Sequence, residues 1–167
     1  MKLTQKRWIF LSWIVFFLVL SFVLPNVASA SEANGLSESI DTNFAFSPAL
    51  LVDILSSYGE AGRAYYITQR WTFDLYYPLV YGVPISLSLN RLIIQPKNRR
   101  IAWIGLIASS FDYIENIIFT IAAFTFPSST IIWVSIGVVV SIAKWSALGG
   151  GFLLVIGLSL RQLFFRK

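Results

Sequence analysis

The chain contains no cysteine and no histidine. The first absence excludes disulfides, thiolate nucleophiles, CxxC redox pairs and cysteine-held zinc. The second removes the commonest general base and the commonest transition-metal ligand. Serine–histidine hydrolases, HExxH metalloproteases and histidine-dependent lipid phosphatases are therefore out, and neither a metal nor a cofactor is expected. Any chemistry must run on carboxylates, Lys, Tyr, Ser or Arg. Charge is scarce as well. Only 13% of the 167 residues are Asp, Glu, Lys or Arg, about half the share usual in soluble domains.

What is abundant is apolar. Hydrophobic residues make up 56% of the chain and aromatics 16%, with a mean hydropathy of +0.71. The length supports one domain. The composition reads as an integral membrane protein whose first partner is the lipid bilayer.

The first segment has a basic start (Lys2, Lys6, Arg7), an apolar run from Trp8 to Leu24, a break at Pro25-Asn26 and a small-residue stretch, Ala28-Ser29-Ala30. Residues 1–30 are either a secretory signal or a retained first span, since the run is long for a signal and just long enough for a helix that crosses. Residues 31–46 are small and polar and read as a mobile linker. Ser47-Pro48 is a helix-start signal. Leu50, Leu51, Ile54, Leu55 and Tyr58 then follow at helical spacing, up to a stop at Gly59. This short amphipathic helix should lie on the membrane surface or cap the bundle. A second amphipathic piece, Glu60 to Trp71, completes an extracytoplasmic region, 31–71.

Three further spans are expected within 72–160. Span two runs from Thr72 to Ile94 and carries Pro78 and Pro84, kinks that neighbouring polar groups must satisfy. A basic loop, Gln95 to Arg100, leads to span three, from Ile101 to Phe126. Span four, Thr130 to Leu160, is about 45 Å long, so it must tilt, bend or protrude, with Gly149-Gly150-Gly151 as the weak point. Residues 161–167 form a basic tail. The fold class is thus all-α: a polytopic membrane four-helix bundle with a short outer amphipathic helix.

Charge sets the orientation. Arg91, Lys97, Arg99, Arg100, Arg161, Arg166 and Lys167 fall on the same side as the basic start, without an acid among them. Glu32, Glu38, Asp41, Asp53 and Glu60 fall on the other. The positive-inside rule puts both termini in the cytoplasm, if the first span is retained, and 31–71 outside the plasma (inner) membrane. The net charge of +5 is explained by this partition, and no nucleic-acid partner is expected.

Ionisable groups inside apolar spans are costly and mark function by default. On span three, Asp112, Glu115 and Asn116 share one helix face. If the helix of span two begins before the membrane, Tyr66, Arg70, Asp74, Tyr77 and Tyr81 recur along it every three or four residues. Lys144 lies about 20 Å into span four, near the level of Asp112, about 16 Å into span three. Lys144 is expected to pair with Asp112, and Asp74 with Arg70 or Arg63. Glu115 is left with Asn116, the tyrosines, or a proton of its own that it would exchange on wetting. Three acids matched by three cations would be neutral, so the cluster also fits charge-balanced scaffolding. The phrases Phe73-Asp74 and Phe111-Asp112 put two aspartates in spans, as intramembrane aspartyl proteases do, but the GxGD glycines of that family are missing.

The stretch from Tyr58-Gly59-Glu60-Ala61-Gly62-Arg63 through Asp74, Tyr77-Pro78 and Tyr81 to Asp112-Tyr113-Ile114-Glu115-Asn116 resembles a class of small uncharacterised bacterial four-span membrane proteins. Their pattern is G-E-x-G-R-x-x-Y, D-x-x-Y-P-x-x-Y and D-x-x-E-N. The resemblance covers residues 58–116 and implies that these positions form one site. It implies no activity. Three functions stay open: binding or transport of a small or lipidic ligand at the cluster, with or without proton movement; a structural or accessory subunit; and a carboxylate-based enzyme acting on lipid.

Overall fold

The computed structural model describes residues 3–44 and 46–164, and all of the described regular structure is helical. Lys2, Arg166 and Lys167, used above for orientation, lie outside the described residues. Three helical stretches are long and apolar enough to cross a membrane: Gln5–Ala33, Pro96–Phe124 and Thr130–Phe164.

The first stretch does not stop at Pro25. Helix α1 (Leu3–Leu18) passes through one π-helical turn (Val19–Val23) into α2 (Leu24–Ala33). Proline has no N–H to donate and its ring crowds the preceding turn. The widened turn makes room, with the Leu24 N–H donating five residues back to the Val19 carbonyl. The helix therefore extends into the segment expected to be linker.

The remainder of that segment is irregular yet packed. Leu36 and Ile40 are buried, and the Glu38 carbonyl accepts a hydrogen bond from the Tyr58 hydroxyl. Helix α3 (Pro48–Ser57) starts as its sequence dictates, with the Ser47 side chain accepting from the Leu50 N–H and Pro48 in the first turn. Leu51, Ile54 and Leu55 turn inward onto Phe119, Ala122, Val134 and Val138, so α3 caps the bundle. Burying a leucine such as Leu55 contributes about 2 kcal/mol. Gly59, in the left-handed region at φ +62, turns the chain into α4 (Gly59–Arg70).

Helix α5 (Phe73–Leu92) keeps both prolines inside it. A 3-10 turn (Pro96–Trp103) occupies the basic loop and delays α6 (Ile104–Phe124) by a few residues relative to expectation. Helix α7 (Thr130–Phe164) is unbroken through Gly149-Gly150-Gly151. At 35 residues it is about 52 Å long. Gly151 is a contact point rather than a hinge: a Cβ there would stand 3.0 Å from Ile85 Cγ2, whereas one on Gly149 would meet nothing within 4 Å.

Helices α5 and α6 approach most closely at Gly82 and Gly105. A Cβ on Gly105 would come within 2.8 Å of Ser86 Oγ and 2.9 Å of Ile85 Cβ. Helix α1 packs on α5 through Trp13, whose indole N–H donates to Ser88 Oγ at 2.9 Å. The outward faces of α6 and α7 remain apolar and exposed at Ile107, Ile117, Val139, Ile142 and Leu153, the surface a lipid environment requires.

Candidate functional site

The polar face of α6 turns into the bundle. Ser109, Asp112, Glu115 and Asn116 are all buried, while Ile114 and Ile117 on the opposite side are exposed. Helical spacing alone explains this, because the four polar positions fall within one stripe.

Two layers of charge build on that stripe. In the inner layer, Lys144 from α7 pairs with Glu115, and its Nζ is 3.5 Å from Asp112 Oδ1. Ser141, one turn earlier on α7, donates to the other Glu115 oxygen. Asp112 also accepts from the Tyr81 hydroxyl at 2.6 Å. The expected Lys144–Asp112 contact is thus the longer of two. Glu115, expected to lack a cation, is completely enclosed and holds the lysine. The difference comes from depth reckoning, which places residues along an axis but cannot say which way a lysine stem leans.

The outer layer centres on Arg70, which is 3% exposed. Its Nη1 lies 3.0 Å from Asp74 Oδ2 and donates to Asn116 Oδ1 at 2.9 Å, while Nη2 pairs with Asp41. The guanidinium also stands over the Tyr66 ring, 4.5 Å from its centroid. Arg70 and Asp74 meet although the helix breaks between them at Trp71 and Thr72.

Arg63 does not join the cluster. Its Nη1 donates to the Leu55 carbonyl at 3.2 Å, and the group stacks on Phe126, 4.2 Å from the ring centroid. In its place the loop 34–47 brings in Asp41, an acid of the expected linker. Asp41 is fixed further by the Trp145 indole, which donates to its backbone carbonyl at 3.1 Å. The balance therefore changes. Four carboxylates (Asp41, Asp74, Asp112, Glu115) face two cations (Arg70, Lys144), where three against three had been expected. Leu36 and Ile40, the apolar positions of an otherwise polar stretch, were the signal that this loop packs inward.

The proline in α5 is part of the same construction. Pro78 cannot donate to the Asp74 carbonyl, and its ring loosens the turn beneath. Asn116 Nδ2 reaches the Asp74 carbonyl at 3.3 Å and the Tyr113 hydroxyl donates to the Leu75 carbonyl at 2.9 Å. Asn116 thus takes up the carbonyl the proline leaves open, and Tyr113 adds a bond to the next carbonyl in the same turn.

Beside the cluster is a cavity of about 510 Å³. One wall is apolar: Phe16, Leu24 and Val27 from the first helical stretch, Leu148 and Phe152 from α7. The other carries Asp41, Tyr66, Arg70, Asp74, Asp112 and Lys144. Tyr77 and Tyr81 also line it, ring to ring at 5.7 Å. Glu115 and Asn116 lie behind this wall and do not. Three buried polar atoms on the lining residues have no hydrogen-bond partner within the protein: Asp41 Oδ1, Tyr66 Oη and Arg70 Nε. Burial pushes the Tyr66 phenol well above its ordinary range, so it stands there as a neutral hydroxyl. No family model, curated protein or solved structure matches the chain.

Proposed function

We propose that the chain is a four-span inner-membrane protein that binds or carries a small or lipidic ligand in the cavity beside Arg70. The span added to the three long apolar stretches is α5, the expected span two. Its 20 residues match the hydrocarbon thickness, and its polar positions Asp74, Tyr81 and Ser88 are engaged by α4, α6 and α1. On this reading the first span is retained and both termini are cytoplasmic. Residues 58–116 then act as one site, as the resemblance to the small bacterial class implies.

The observation that carries the reading is the wall itself. A cavity of about 510 Å³ has the size of a small-molecule site. It joins an apolar side to buried polar atoms that have found no partner. Leaving such atoms unpaired costs about 1–3 kcal/mol each, a cost that a ligand bearing matching groups removes.

The Glu115–Lys144–Ser141 layer supports the structural alternative for its own part. It is paired, and of its members only Lys144 reaches the cavity while Glu115 and Ser141 lie off it, so it sets helix register rather than moving a proton. A proton-linked step would fall to Asp74 and Asp112. Each of these carboxylates is tied to a cation, an arrangement of binding more than of general acid–base catalysis.

The test is native mass spectrometry of the protein extracted with its lipids, beside Leu148→Trp, which fills the cavity from α7. A bound mass present in the wild type and absent from the variant is the expected result. Identical profiles overturn the proposal.

A further inference from the structure

The ligand class follows from the charge imbalance of the wall, and the inference rests on the cavity being a binding site. Three carboxylates on the wall, Asp41, Asp74 and Asp112, and a fourth behind it, Glu115, share two cations. The nearest additional arginine, Arg63, is committed to the Leu55 carbonyl and the Phe126 ring. The mouth adds two more acids, Glu32 and Glu38, both exposed and both on the cavity lining. Uncompensated negative charge beside apolar surface is costly, and it is relieved by a proton or by a bound cation.

The kind of cation is set by the rest of the lining. Among the described residues no group of three or more acids is placed to hold a metal ion. Instead the acids alternate with aromatic rings: Tyr66, Phe73, Tyr77 and Trp145 all line the cavity. Ring faces attract organic cations, most strongly where water is excluded. Asp41 lines the cavity, and its unpartnered Oδ1 can only accept, which suits a cationic group that carries N–H donors. The other two unpartnered atoms, Tyr66 Oη and Arg70 Nε, do not bear on the sign of the ligand's charge. Beyond them the cavity continues along Phe16, Leu24, Leu148 and Phe152, a surface for an alkyl or ring body and not for a second charge.

We infer that the cavity takes an amphiphilic organic cation, an ammonium or guanidinium group on an apolar body, with the charged head on the acidic side lined by Asp41, Glu32 and Glu38 and the body against α1, α2 and α7. The charge and the donor hydrogens both matter. A neutral analogue leaves the acids uncompensated, and an anionic one adds to the repulsion.

The experiment compares four probes of one chain length on the full-length protein in neutral-lipid nanodiscs: dodecylamine, dodecyltrimethylammonium, 1-dodecanol and dodecanoate. The Trp145 contribution to the fluorescence, taken as the difference from Trp145→Phe, reads binding, and empty nanodiscs give the partition background. The expected order is dodecylamine first, the quaternary ion weaker because it has no N–H, then the alcohol, with the carboxylate last. Asp41→Asn should weaken dodecylamine about tenfold, the scale of one charge-assisted hydrogen bond, and leave the alcohol unchanged. Glu32→Gln/Glu38→Gln changes exposed positions alone and should weaken both cations without altering the helical circular dichroism. This keeps the test open if Asp41→Asn does not fold. Equal saturable binding of all four probes overturns the cation assignment and leaves the binding site standing. Binding no greater than to empty nanodiscs, with the folded state verified, overturns both.

Discussion

Asn116 on α6 serves the backbone of Asp74 on α5, not its carboxylate: Nδ2 donates to the carbonyl oxygen at 3.3 Å. That carbonyl is open because Pro78 stands four residues on. The same amide accepts from Arg70 through Oδ1, so one buried side chain mends a helix and seats a cation.

Asn116→Ala should therefore cost about 2–4 kcal/mol, since it strands both a carbonyl and a guanidinium donor. Pro78→Ala returns a backbone N–H to the Asp74 carbonyl. In the double variant the loss should be smaller than the single-variant values predict, and a double-mutant cycle on thermal or denaturant unfolding measures the coupling.

Lys144→Met should destabilise by about 3–5 kcal/mol, because Glu115 and Asp112 would keep their burial and lose their shared cation. Adding Glu115→Gln should recover much of this. If Lys144→Met unfolds at the wild-type temperature in detergent, the inner layer does not hold the helices together.

Glycine positions on the long helices should split into two classes. Gly105→Val should separate α5 from α6 and lower stability by at least the 1–3 kcal/mol typical of overpacking, since its side chain would enter Ser86 and Ile85. Gly149→Ala meets nothing within 4 Å and should be neutral or raise stability by up to about 1 kcal/mol through helix propensity. Paired melting curves decide between these outcomes.

The N-terminal helix should remain on the mature protein. The small-residue stretch Ala28-Ser29-Ala30 lies inside α2, and the helix before it is attached to α5 by the Trp13–Ser88 hydrogen bond. Intact-mass measurement of membrane-extracted protein should return a chain that still includes Trp13. A mature N-terminus at Ser31 would remove both the attachment and one wall of the cavity.

Much of the architecture was legible from periodicity. Ser47-Pro48 and Gly59 bracket α3 because cap chemistry is local, and the polar stripe of α6 turned inward because only one face of a helix can. What escaped the sequence was non-local. Whether Pro25 ends a helix depends on the turn before it, and whether Gly149–Gly151 bends depends on Ile85 across the interface. The composition of the site shifted most. Arg63 and Asp41 exchanged places because a flexible-looking loop had two apolar residues to bury and an arginine had a carbonyl and a ring closer to hand.

One unbroken rod, α7, carries Val134 beneath the cap formed by α3 and, some 27 Å further along, Phe152 beside Trp13 on α1, at 6.0 Å between ring centroids. Lys144 and Leu148 lie between those two points. A tilt of that rod would displace the cavity wall at Leu148 and the packing under α3 at Val134 together, so the two ends of the bundle are mechanically geared to each other.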